Sequence, residues 1–294
     1  MKNISFVFTF LFLFTNYIFS QKPAYVIYHN GDKVEWQDLL KATDSCDVIF
    51  FGELHDNPIA HWLEYELVKD LYQKYSNNLI LGAEMFETDN QLILNEYLNN
   101  LINEKNFIDE AKLWQNYQTD YRPLVEFAKK NNLQFIATNI PRRYAAAVNY
   151  GSFAALNKFS KDALTFIAPL PIPFDSTLDC YASLRQMPAM GKAHTSKLYL
   201  DQAQAIKDAT MAWNIMKNLA YNKKFIHFNG AYHSDYHQSI IWYLNYYLKE
   251  NNNNNNNYKI LTITVQEVDN LESSQVDNAA DFIILTPSSL TKTY

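Results

Sequence analysis

Apolar residues in this chain gather into short unbroken runs separated by longer stretches of helical period, and several runs end on ionisable side chains. Asp47-Val48-Ile49-Phe50-Phe51-Gly52 is the first, followed at once by Glu53, His55, Asp56, Asn57 and Pro58. A run of that length bounded by polar residues predicts a buried strand. Leu79 to Phe86 repeats the pattern and carries Glu84 near its end, with Glu87 and Asp89 beyond. Leu133 to Asn139 and Lys224 to Gly230 follow suit, leading into Asn139-Ile140-Pro141-Arg142-Arg143 and Ala231-Tyr232-His233-Ser234-Asp235-Tyr236-His237. Ala24 to Tyr28, Tyr258 to Val265 and Asp281 to Thr286 read as further strands, and Asn30-Gly31 as a hairpin turn.

Between the runs the period changes. Pro58 to Tyr75 places Ile59, Leu63, Leu67 and Leu71 on one helical face, with Trp62, Tyr65 and Val68 beside it. Val34 to Lys41, Asn90 to Leu101, Glu110 to Asn131, Tyr199 to Tyr221 and Ser239 to Leu248 also read as helices. A strand–helix–strand unit implies parallel strands. The predicted fold is therefore α/β: a mostly parallel central sheet flanked by helices. From about 144 to 201 the strand runs stop, and helical stretches are broken by Gly151, Pro169, Pro171, Pro173, Pro188 and Gly191. This stretch reads as a helical insertion or lid within one domain of residues 21–294. The seven asparagines at 251–257 bury nothing and read as a solvated loop.

Residues 1–20 stand apart. Lys2 precedes an apolar run from Ile4 to Ile18, and Ser20 is a small residue placed for cleavage before Gln21. This is the layout of a secretory signal peptide, which predicts an exported protein, periplasmic or secreted. An uncleaved anchor would instead leave it membrane-associated. The whole chain has 25 Lys+Arg against 31 Asp+Glu; losing Lys2 leaves 24 against 31, a net of −7. That balance argues against a nucleic-acid partner, which would call for a basic face. Two cysteines, Cys46 and Cys180, could pair in an oxidising compartment or stay as free thiols. Neither lies near the cleavage point to accept a lipid.

Parallel strands would bring Glu53, His55, Glu84, Asn139, Arg142 and His233 to one sheet edge, where α/β proteins bind ligands. Two histidines and two carboxylates suit Zn, Mn or Fe, so Glu53, His55, Glu84 and His233 are candidate metal ligands. Without a metal the same four are candidate catalytic acids and bases. The competing reading is a hydrogen-bonded polar cluster that caps helices, as Asp56 or Asn57 could. His237 shares the strand end of His233, and their i,i+4 spacing would put both on one helix face, but His237 reads as part of a hydrogen-bonded polar cluster more than as a site residue. His227, in mid-strand, reads as a core histidine, and His61 as a surface or packing residue. The insertion offers Tyr181, Met187, Met190, His194 and Tyr199. Tyr, His and Met all serve as haem ligands, which makes Tyr181, Met190, His194 and Tyr199 candidate haem contacts; simple packing is the alternative.

The block Phe51-Gly52-Glu53-Leu54-His55-Asp56-Asn57-Pro58 with His61 resembles the ChaN-like family of iron-regulated, haem-binding bacterial proteins. The resemblance continues through Gly82-Ala83-Glu84-Met85-Phe86, Gln91, Trp114, Tyr121 and Pro123, and Asn139-Ile140-Pro141-Arg142. It ends with Gln204, Asp208, Met211-Ala212 and Gly230-Ala231-Tyr232-His233. It implies an α/β core with a helical insertion. It also implies haem held between two subunits by a tyrosine and a partner histidine, hence a homodimer, iron or haem acquisition, and delivery to an outer-membrane haem receptor. The wider superfamily is similar to erythromycin esterases and Tiki proteases, which use the strand-end Glu and His for hydrolysis. An esterase- or peptidase-type hydrolase, with or without a divalent metal, is the alternative function. Many ChaN-like proteins are lipoproteins; the lipid-accepting cysteine is missing here.

Overall fold

A computed structural model describes residues 22–186, 198–251, 258–272 and 275–293. The leader, Met187, Met190, His194 and residues 252–257 lie outside the described residues. Eight strands form one sheet: β1 (Val26–His29), β2 (Asp32–Val34), β3 (Val48–Glu53), β4 (Leu79–Glu87), β5 (Gln134–Asn139), β6 (Lys224–Gly230), β7 (Ile260–Val268) and β8 (Phe282–Pro287). Their spatial order is β2-β1-β8-β7-β3-β6-β4-β5. The six strands from β8 to β5 run parallel, and β1 pairs antiparallel with both β2 and β8. Asn30 and Gly31 join β1 to β2 with φ of 52° and 85°, the positive values a two-residue hairpin turn requires.

The helices are α1 (Trp36–Ala42), α2 (Pro58–Tyr75), α3 (Gln91–Leu98), α4 (Glu104–Glu110), α5 (Arg122–Lys130), α6 (Arg142–Gly151), α7 (Lys161–Leu164), α8 (Asp179–Gln186), α9 (Leu200–Asn218) and α10 (Ile240–Glu250). They form two layers. Leu63, Leu67 and Leu71 of α2, Leu94 of α3 and Leu124 of α5 join Ile49, Phe51, Leu81 and Phe228 in one core. Burying each leucine contributes roughly 1.5–3 kcal/mol. Val148 of α6, Ile206 and Ile215 of α9, and Leu244 of α10 join Val48, Phe50, Ile80 and Phe225 in the other. Side chains alternate across a strand, which is why Val48 and Phe50 belong to one core and Ile49 and Phe51 to the other. With both faces covered, β3 and β6 are buried along their whole length, so they read as continuous apolar runs rather than alternating ones.

Within the helical insertion, Ala145, Val148, Leu156, Ile167 and Tyr181 belong to the second core, so the described part of 144–201 packs against the sheet as one of its two helical layers. The stretch from 110 to 131 is broken by Ala111–Asn116 and a five-residue π turn, Tyr117–Tyr121, before α5 begins. Cys46 and Cys180 are both free thiols. No helix among the described residues is long and apolar enough to cross a membrane.

Candidate functional site: two buried acid–base clusters at the carboxyl edge

The strand order sets the site. β3 and β4 do not touch; β6 lies between them, with Glu53 level with Gly230 and Ala83 level with Phe228. Glu53 and Glu84 therefore approach the end of β6 from either side. The Gly230 N–H donates to Glu84 Oε2 at 2.9 Å. A Cβ on Gly230 would stand 2.8 Å from His55 Cε1 and Nε2 and 3.6 Å from Glu84 Oε2. Gly230 is the floor on which the two clusters meet, and glycine is what allows that approach. Gly52 is similarly hemmed in, with Ala231 Cα 2.9 Å from where its Cβ would be.

The first cluster is built on Glu53. Its Oε1 accepts from the Tyr121 hydroxyl at 2.7 Å and pairs with His55 Nδ1 at 2.6 Å. Its Oε2 lies 3.3 Å from His61 Nδ1. Glu64, one turn along α2, places Oε2 3.3 Å from the same nitrogen. Burial alone would raise the Glu53 pKa, but His55 and His61 hold it well below the carboxylate range. Burial pulls the His61 pKa down; Glu53 and Glu64 overcome this and push it up to about 11. Glu64 is held well above its ordinary value by burial and by the charge of Glu53. His55 is also raised, burial being outweighed by Glu53. Its side chain is 36% exposed, and its ring meets Trp114 edge-on at 4.9 Å.

The second cluster is built on Glu84 and His233. His233 Nε2 lies 3.2 Å from Glu84 Oε1, and its Nδ1 bonds Asp208 Oδ1. Asp208 Oδ2 accepts from the Tyr181 hydroxyl at 2.7 Å. Burial works against both charges of the Glu84–His233 pair, yet their attraction prevails: Glu84 falls to about 2 and His233 rises to about 10. Asp208 moves the other way, raised by burial that His233 only partly offsets.

The structure thus brings Glu53, His55, Glu84 and His233 to one edge. It does not bring His237 with them. The two histidines fall on separate short turns, 231–233 and 235–237, and Tyr236 and His237 have φ of 56° and 54°. His237 turns out toward Asp281, 3.5 Å away. His61, expected at the surface or in packing, is buried and faces two carboxylates. Asn57 caps α2, its Oδ1 accepting from the Ile59 and Ala60 amides at 3.0 and 2.9 Å. Asp56 instead pairs with Lys292 at 3.2 Å. His227 is a core histidine between Thr138 and Asn229, and burial lowers its pKa to about 4.

Of the candidate haem contacts, Tyr181 is fully buried with its hydroxyl committed to Asp208, so iron could reach it only by breaking that bond. Tyr199 is half-buried just before α9; Met190 and His194 are outside the described residues. Beside the acid–base groups opens a cleft of about 820 Å³, where Leu113 and Trp114 meet Lys112, Arg142 and Arg143.

Sequence reasoning gave no role to Glu64, Asp120 or Asn116. Glu64 left one usable signal, a carboxylate set within the apolar face of α2 between Leu63 and Leu67. Asp120 and Asn116 left none, because Asp120 lies within an irregular π turn and Asn116 caps its start.

An α/β sheet with helices on both faces and buried acid–base groups at its carboxyl edge is the class of protein these features define. A family model described as haem-binding uptake, Tiki superfamily, ChaN matches residues 39–244, and the chain belongs to that family. Among solved structures, ChaN of Campylobacter jejuni, described as binding haem cofacially, is similar over 90% of this chain and 97% of that one. The TM-score is 0.63 at 17% identity, a likeness of fold. An erythromycin esterase, EreC, aligns over 90% of this chain and 83% of its own with TM-score 0.45 and 12% identity. A toxin effector domain from Vibrio vulnificus aligns over 84% of this chain and 36% of its own, with TM-score 0.43 and 13% identity. Comparison with curated proteins returns no match.

Proposed function

We propose that this protein is an exported haem carrier serving iron or haem acquisition. The observation that carries the reading is the family match, which runs from α1 through the whole acid–base edge and into α10. The cleft beside His55 supports it. Leu113 and Trp114 supply an apolar bed and Arg142 a cation for a carboxylate of a flat porphyrin, while Lys112 and Arg143 would have to share their charge with Asp89, 3.0 and 2.5 Å away. Its size is that of a small-molecule site. Haem iron takes phenolate, imidazole or thioether ligands. Tyr199, His194 and Met190 are the proposed sources, with Tyr181 set aside by its bond to Asp208. Two copies holding haem between them, and an outer-membrane receptor taking it onward, complete the proposal.

Hemin titration of the purified protein tests it directly. The expected result is a shifted Soret band that saturates at a fixed ratio of haem to chain. A featureless titration overturns the reading. Export is checked separately by the N-terminal sequence of protein recovered outside the cytoplasm, expected to begin at Gln21.

One observation favours a second reading. Glu53 clamps His55 Nδ1 at 2.6 Å and leaves the other nitrogen beside a partly open surface, the arrangement of an oriented general acid–base. A hydrolase would use His55 to move a proton, with Glu84 and His233 setting the local charge. His55→Ala and His233→Ala assayed on a panel of esters and peptides decide this. Wild-type turnover that both variants lose supports the hydrolase, and no wild-type turnover removes it.

A further inference from the structure

We propose that Glu53, His61 and Glu64 form a buried divalent-metal site of the zinc class that fastens α2 to the end of β3. It is separate from haem binding and draws on two residues of the first cluster, His61 and Glu64, to which neither functional reading gives a role.

The argument starts from His61. On one side of its ring Nε2 lies 3.0 Å from the His55 carbonyl oxygen and 3.4 Å from Asp120 Oδ2. Two acceptors there call for the proton on Nε2. The Asn116 amide donates to both of them, at 3.0 and 2.6 Å, and so fixes them in place. With Nε2 protonated, the neutral ring presents the Nδ1 lone pair to the opposite side, where Glu53 Oε2 and Glu64 Oε2 wait, each 3.3 Å away. Three electron-rich atoms then face one another inside the protein, with Glu53, His61 and Glu64 only 1%, 5% and 0% exposed. Either a proton shared by the two carboxylates, which burial and the charge of Glu53 favour on Glu64, or a metal cation must sit among them.

A proton on Nδ1 is a poor fit. It can point well at only one carboxylate, and a charge-assisted N–H···O⁻ bond closes to about 2.7–2.9 Å, shorter than either separation here. A metal fits better. Ligand bonds of about 2.0–2.1 Å at tetrahedral angles place neighbouring ligand atoms roughly 3.3–3.4 Å apart. One atom from each residue, all within 4.8 Å of one another, can contribute. Two fully buried carboxylate oxygens in the cluster, Glu53 Oε2 and Glu64 Oε1, make no hydrogen bond of good geometry among the described residues, Glu53 Oε2 keeping its 3.3 Å approach to His61 Nδ1, a costly condition that a cation relieves. The outer contacts are also those of a metal site: a histidine whose second nitrogen is held by a carbonyl and a carboxylate, and a ligating glutamate held by the Tyr121 hydroxyl. Imidazole with carboxylates suits zinc, and after it manganese or iron. Three protein ligands leave a fourth position for water.

The test is elemental analysis of the full exported chain, purified without chelators and before any contact with haem. About one equivalent of zinc, manganese or iron per chain is expected. Glu64→Gln keeps the shape of the side chain and should lose the metal. Tyr121→Phe removes only the outer contact and should weaken zinc binding about 10–100-fold. Wild-type protein supplies a readout that needs no variant: stripping with a chelator should lower the melting temperature, zinc should restore it, and cobalt should give tetrahedral absorption bands. Protein with less than a tenth of an equivalent of metal, and no thermal response to added zinc, overturns the proposal. So does metal retained in full by a folded Glu64→Gln variant.

Discussion

The imidazole of His55 rests on the Cα of Gly230. A methyl group at that position would stand 2.8 Å from two ring atoms. Gly230 has φ of −56°, so the glycine is required by space and not by backbone conformation. Gly230→Ala is expected to displace the partly exposed ring of His55 and cost about 1–3 kcal/mol as an overpacked site. Gly52→Ala should cost more, because its nearest obstacle is backbone, Ala231 Cα at 2.9 Å, which cannot swing aside. Urea unfolding of the two variants checks the order. A Gly52→Ala protein as stable as Gly230→Ala would contradict it.

Stability should fall on both sides of a mildly acidic optimum. The folded pKa of His233 is raised to about 10 from 6.5. Its contribution is fully present below pH 6.5 and is lost as pH rises toward 10. The folded pKa of Glu84 is lowered to about 2 from 4.5. Its contribution is present above pH 4.5 and disappears as pH falls toward 2. Asp208, raised by burial, opposes the pair above its ordinary value and trims the gain without moving the alkaline limb. Denaturation midpoints measured across pH should show an alkaline decline that His233 drives between about 6.5 and 10 and His61 extends to about 11, and His233→Gln should make it shallower. An unchanged alkaline limb in that variant would mean the pair does not govern it.

Gln91 guards the exposed edge of the sheet. Its amide nitrogen donates to the Phe135 carbonyl at 2.9 Å, and its amide oxygen accepts from the Ala137 N–H at 2.6 Å, as a neighbouring strand would. Gln91→Ala leaves both backbone groups of β5 without these partners, and the expected loss is about 1–3 kcal/mol. It should also raise the tendency to aggregate, since an uncovered edge recruits other strands. Chemical unfolding together with light scattering at rising concentration is the measurement, and a variant that matches wild type in both disproves the role.

Tyr181 and Tyr199 should separate cleanly. Tyr181→Phe leaves Asp208 Oδ2 without the hydroxyl at 2.7 Å, while Oδ1 keeps His233. A loss of about 1–3 kcal/mol is expected, with the hemin spectrum unchanged. Tyr199→Phe should alter the Soret position. A Tyr181→Phe protein that still folds but no longer shifts the hemin spectrum would reverse the assignment.

The chain by itself determined the elements and the chemistry they carry. Runs such as Val48–Glu53 and Lys224–Gly230 are buried on both faces, so their composition shows directly in the sequence. Pro58–Tyr75 keeps a helical period from its Asn57 cap onward, and strand-end carboxylates stand out against apolar neighbours. Only the tertiary structure decided what those ends meet. Sheet order depends on contacts between residues far apart in the chain, and nothing local says that β6 slips between β3 and β4. That placement sets Gly230 under His55 and draws Glu84 to His233. The same holds for His61 and Glu64. Their i,i+3 spacing was visible, but their shared target, Glu53, comes from how α2 folds back over the end of β3. His237 shows the converse: a spacing that suits a helix meant nothing once two left-handed residues turned the chain away.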